Sequence, residues 1–151
     1  MKLLPILFLS VLLSSATPFV HVIAPATFVS RDPTMSIYEV AEILTGAPAE
    51  ILRGIEFAES SNWRNLNHPD PFDRGGFGLH ERPSYHAERA SKWGEYDPEY
   101  PADAARIAGH IYVENLSRLG SVELALCAYR QGVVGVRANG PELWYAERVL
   151  G

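Results

Sequence analysis

The chain has 151 residues, 47% of them hydrophobic and 21% charged, with a formal net charge of −5. That length suits one domain around one core, and that balance excludes a disordered chain. The negative charge offers no basic surface for nucleic acid, and a lone Cys127 excludes both an intramolecular disulfide and a cysteine-based zinc site.

Lys2 precedes an apolar run from Leu3 to Leu13, broken only by Pro5 and Ser10, and the small residues Ser14-Ser15-Ala16 follow. A short basic start, a hydrophobic centre and a small-residue exit form the pattern of a secretory leader. The run is too short to span a bilayer comfortably. Residues 1–26 therefore read as a signal peptide, cut between 16 and 26, either after Ala16 or at Ala24-Pro25-Ala26. The expected location is periplasmic or secreted, with no stable membrane span after processing. Residues 27–34 read as linker and residues 35–151 as the folded domain.

From Ser36, the residues Ile37, Val40, Ala41 and Leu44 recur at helical spacing, with Gly46 as a stop. Pro48 suits the first turn of a second helix, in which Ile51, Leu52, Ile55 and Ala58 form one stripe. Past Trp63 the period is lost: NLNHPDPFDRGGFGLHERP holds Pro69, Pro71 and Pro83 with Gly75, Gly76 and Gly78, which is loop chemistry. A loop this long inside a small domain more often forms a functional wall than an idle connection. Helices follow from Ser84 to Lys92 and from Asp103 to Leu119, the latter with Ala104, Ile107, Ala108, Ile111 and Asn115 facing inward. Ser121 opens a helix through Gln131 that is apolar on most sides and so central, with Cys127 packed inside it. Gly132, Gly135 and Gly140 mark a loop, and Pro141 opens a last helix. No stretch alternates long enough for a strand. The expectation is an all-α domain of about six helices.

One carboxylate stands out. Glu59 follows Ile55 by four residues and Leu52 by seven, so it projects from the edge of an apolar stripe just before Ser60-Ser61-Asn62. Partial shielding disfavours the charged form and keeps such an acid protonated near neutral pH, as a general acid requires. Glu56, about 60° further round the helix, is expected to face solvent. His68, His80, His86 and His110 show no metal-ligand spacing, and Asp70 and Asp73 read as turn formers beside Pro71 and Arg74. No metal and no cofactor are expected.

Three separated segments then line up with one family. Glu59-Ser60-Ser61-Asn62 resembles the E-S-S-F-N start of the catalytic motif of soluble lytic transglycosylases, a lysozyme-like family. Gly75-Gly76-Phe77-Gly78-Leu79-His80-Glu81 resembles that family's G-A-x-G-L-M-Q segment, Ala128-Tyr129-Arg130-Gln131-Gly132 its A-Y-N-A-G, and Tyr145 to Val149 its closing Y-V-x-x-V. The resemblance implies a lysozyme-like helical fold with a groove for the glycan strands of peptidoglycan. It also implies Glu59 as the single acid/base, with Ser60, Phe77, Gly78, Leu79, Glu81, Tyr129, Arg130 and Tyr145 around the substrate. The implied reaction cleaves the β-1,4 bond between N-acetylmuramic acid and N-acetylglucosamine and leaves a 1,6-anhydro end. Glu81 and Arg130 depart from the family's Gln and Asn, and the two changes suggest an ion pair across the groove. Two alternatives remain open: hydrolysis with Asp73 or Glu81 as a second carboxylate, and a weakly catalytic glycan-binding or assembly protein. Work alone or within a cell-envelope or secretion complex is equally open.

Overall fold

A computed structural model describes residues 34–151, so the expected signal peptide and nearly all of the linker lie outside the described residues. The described chain forms α1 (Ile37–Thr45), α2 (Ala49–Ser60), β1 (Asp73–Arg74), β2 (Leu79–His80), α3 (Pro83–Trp93), α4 (Pro101–Leu119), α5 (Val122–Asn139) and α6 (Leu143–Leu150). It is a helical fold with one short ribbon in the long loop. Among the described residues, no helix is long and apolar enough to cross a membrane.

Local chemistry explains most boundaries. Ser36 accepts from the Glu39 amide at 3.4 Å while Glu39 accepts from the Ser36 amide at 2.7 Å, a reciprocal cap for α1. Such a cap contributes about 1 kcal/mol. Gly46, at φ 80°, ends the helix in the left-handed region. Pro83 and Pro101 start α3 and α4 slightly before the expected Ser84 and Asp103, because a first-turn residue has no amide partner to lose.

The loop expected after Gly132 is instead helical. The chain kinks at Gly132 (φ 74°, ψ 154°) and resumes its turn to Asn139. Val133 and Val136, three residues apart, bury a stripe of their own and hold this second half down.

Helix α4 packs against α1 and α5, and α6 bridges α5 and α2. Leu52, Ile55, Ile107 and Leu126 have no exposed surface at the centre. Each such side chain stabilises the fold by about 1.5–3 kcal/mol. On α1, Ala41 is buried while Leu44 stays 40% exposed, so the inward face is narrower than its pattern suggests. Two glycines set the helix spacing. A Cβ on Gly109 would stand 2.5 Å from the Thr45 hydroxyl, and one on Gly54 would collide with the Val149 carbonyl. The bare Gly54 lets α6 lie directly on α2, which carries Tyr145 to the end of the helix that holds Glu59.

Candidate active site

The site begins where α2 stops. Ser61, Asn62 and Trp63 take φ values of 52°, 58° and 62°, three successive left-handed residues without a glycine. Each costs about 1–2 kcal/mol relative to a right-handed turn. Hydrogen bonds offset this. The Trp63 amide donates to Ser60 Oγ at 2.9 Å, Ser60 Oγ donates to the Glu56 carbonyl at 3.1 Å, and the Asn65 amide donates to the Ser60 carbonyl at 2.9 Å. The Trp63 indole then donates to Glu56 Oε1 at 2.6 Å, and the Tyr38 hydroxyl donates to Glu56 Oε2.

Glu56 is therefore not the solvent-facing residue that helical period implies. It is 2% exposed, and its carboxyl ties α1, α2 and the following turn together. Its signal in the sequence is Trp63, seven residues on, but the turn that brings them together is not helical. The Trp63 ring lies on Gly76, where any Cβ would overlap it, so the glycine loop is clamped to the end of α2.

That clamp aims the loop at Glu59. The ribbon pairs Asp73 with His80 and Arg74 with Leu79, and Gly78 turns between its strands at φ 58°. A Cβ on Gly78 would stand 2.5 Å from Glu59 Oε2 and 2.9 Å from its Cδ. Only a glycine lets the backbone approach the acid this closely. On the other side, the Tyr145 hydroxyl donates to Glu59 Oε1 at 2.6 Å.

Burial is the largest influence on Glu59 and raises its pKa. The Tyr145 hydrogen bond, Arg130 and His68 pull it down, and the charge of Asp73 pushes it up again. The net direction is upward, toward a protonated acid. Tyr145 is itself held well above its usual pKa, first by burial and then by the Glu59 charge, so it stays a donor.

Glu59, Asp73, Gly78, Leu79, Tyr129 and Arg130 line one cleft of about 920 Å³. Other expected residues are committed inside the fold, which corrects their reading as groove contacts. Ser60 is 1% exposed and serves the turn. Phe77 has no exposed surface, and only its carbonyl reaches toward the cleft, accepting from the Tyr129 hydroxyl at 2.9 Å. Tyr145 is 2% exposed and acts through Glu59.

Glu81 does not pair with Arg130. It accepts from Arg89 at 2.8 Å and from the Tyr96 hydroxyl at 2.8 Å, and His86 Nδ1 lies 2.6 Å from its other oxygen. Its partners come from α3 and the turn after it, so this carboxylate fastens α3 beneath the ribbon. That corrects its reading both as a substrate contact and as a second catalytic acid. Asp73 and His80 face the cleft, with His80 Nδ1 2.9 Å from Asp73 Oδ1 and 3.7 Å from Asp70 Oδ2. These three side chains each bring a ligand-type atom within 4.8 Å of the others. Along the chain, Asp70 and Asp73 read as turn formers and His80 lacks ligand spacing; what joins Asp73 to His80 is the cross-strand register.

No protein-family model matches the sequence, and no curated protein matches it either. The fold and site together define a helical domain with a shielded carboxyl group at the wall of an open cleft.

Proposed function

We propose that this protein is an exported, lysozyme-like enzyme that cleaves the glycan strands of peptidoglycan, with Glu59 as the acid/base. One observation carries the reading: a carboxyl with a raised pKa is fixed between a tyrosine donor and a glycine backbone, at the wall of a cleft large enough for sugars. The order of the motif-like segments around Glu59 supports the same substrate.

In the proposed reaction, Glu59 gives its proton to the bridging oxygen as the β-1,4 bond to C1 of N-acetylmuramic acid breaks. The N-acetylglucosamine side leaves as an alcohol. The carboxylate then takes the proton of the muramyl 6-hydroxyl while that oxygen bonds to C1, giving a 1,6-anhydro end and restoring the acid. Tyr145 holds one carboxyl oxygen throughout, so the other is left to exchange the proton. No water is consumed.

A second reading is hydrolysis, in which Asp73 orients water toward C1. Its support is that Asp73 lines the same cleft and its charge reaches Glu59. Mass spectrometry of digested peptidoglycan tests both. Anhydro ends support the lyase and reducing ends the hydrolase. Intact strands with purified, folded protein refute catalysis and leave a glycan-binding role.

A further inference from the structure

The arginine beside the acid, Arg130, forms no ion pair among the described residues, although its charge is felt at both Glu59 and Tyr145. Glu59 in its protonated form supplies no counter-charge. Of the other arginines at the cleft, Arg89 is held by Glu81 at 2.8 Å, Arg82 lies over the Phe72 ring, and Arg118 is 3.5 Å from Glu114.

The root of Arg130 is nevertheless fixed. Tyr129, immediately before it, is bonded to the Phe77 carbonyl at 2.9 Å. Gln131, immediately after it, donates to the Gly140 carbonyl at 3.1 Å and accepts from the Glu142 amide at 2.8 Å. Both neighbours anchor the backbone on the cleft wall, and the guanidinium between them projects exposed. An anchored stem with an open planar fork suits two-point recognition of a carboxylate.

We infer that Arg130 is a specificity-determining residue that reads a carboxylate on the sugar next to the scissile bond. Resting on the proposed function, this names the favoured substrate. The lactyl group of N-acetylmuramic acid ends in a free carboxylate when its stem peptide is absent and in a neutral amide when it is present. Arg130 therefore favours peptide-free strands.

The test measures binding, so that it does not depend on turnover. Fluorescently labelled glycan strands, either bearing stem peptides or stripped of them by an amidase, are titrated into the full chain carrying Glu59→Gln. Arg130→Asn and Arg130→Lys are added in that background, and thermal melts check folding. The expectation is tighter binding of stripped strands, with Arg130→Asn weakening them roughly tenfold, the scale of a hydrogen bond to a charged group. Peptide-bearing strands change little, and Arg130→Lys, which keeps charge without the fork, falls between. Equal effects on the two strands, no effect on either, a preference for peptide-bearing strands, or no binding at all overturns the inference. Failure of the proposed function is seen separately, as intact peptidoglycan after incubation with the unmodified protein.

Discussion

Replacing Gly78 with alanine tests the geometry of the site directly. The new Cβ would stand 2.5 Å from Glu59 Oε2, 2.9 Å from Cδ and 3.2 Å from Cγ. Carbon and neighbouring heavy atoms rest at about 3.5–4.0 Å, so the carboxyl must retreat by roughly 1 Å. The clash falls on the far end of a flexible side chain, so it adds little to the folding free energy. The left-handed φ of 58° costs an alanine about 1–2 kcal/mol. A melting temperature lower by several degrees is expected, with the fold retained. Activity should fall much further, because a displacement near 1 Å costs about 10²-fold, and the 2.6 Å bond from Tyr145 is strained by the same movement. The assay is release of soluble fragments from purified peptidoglycan, at a temperature where the variant is folded. A folded Gly78→Ala protein with activity within about threefold of the parent refutes the claim that the glycine backbone positions the acid.

Glu59→Gln should lower glycan cleavage by at least about 10²-fold while keeping the fold, and substantial residual activity would place the acid elsewhere. The same pair gives a pH test. Below pH 4.5, the ordinary carboxyl value, Glu59 is protonated both folded and unfolded, so the native protein has its best stability relative to the Gln variant there. As pH rises, the unfolded state ionises first and that relative stability declines, levelling above the raised folded value. Urea melts at several pH values follow this, and a flat difference contradicts the raised pKa. Glu81→Gln should destabilise by about 1.5–3 kcal/mol through loss of a charged partner for Arg89. Combined with Arg130→Asn it should be additive within about 0.3–0.5 kcal/mol, and larger coupling in a double-mutant cycle would restore an Arg130 pairing in place of the bond to Arg89. Trp63→Phe should cost about 1–3 kcal/mol by leaving a buried oxygen of Glu56 without its indole donor; unchanged denaturant midpoints argue that the left-handed turn is held by other contacts.

Helical period located the cores of the six helices among the described residues and the shielded edge at Glu59, because both depend on residues three and four apart in the chain. The stripe of Leu52 and Ile55 leads directly to a shielded position at residue 59, and capping and proline chemistry supply the ends. Period failed where a turn left the helix. Glu56 looks exposed by angle, yet the left-handed run at Ser61, Asn62 and Trp63 folds an indole back onto it. It failed again at Gly132, where a glycine marks a kink and the valines beyond it keep the chain helical. The partners of Glu81 were beyond sequence reasoning for a different cause. Arg130 was its apparent complement because both depart from one pattern, whereas Arg89, His86 and Tyr96 carry no such mark. Charge type is written in the chain, but which opposite charge stands within 3 Å depends on how α3 packs under the ribbon. Sequence by itself therefore determined the helical class and the shielded position of Glu59. Tertiary structure alone decided which polar groups are used up inside the fold and which, like Arg130, stay exposed at the cleft.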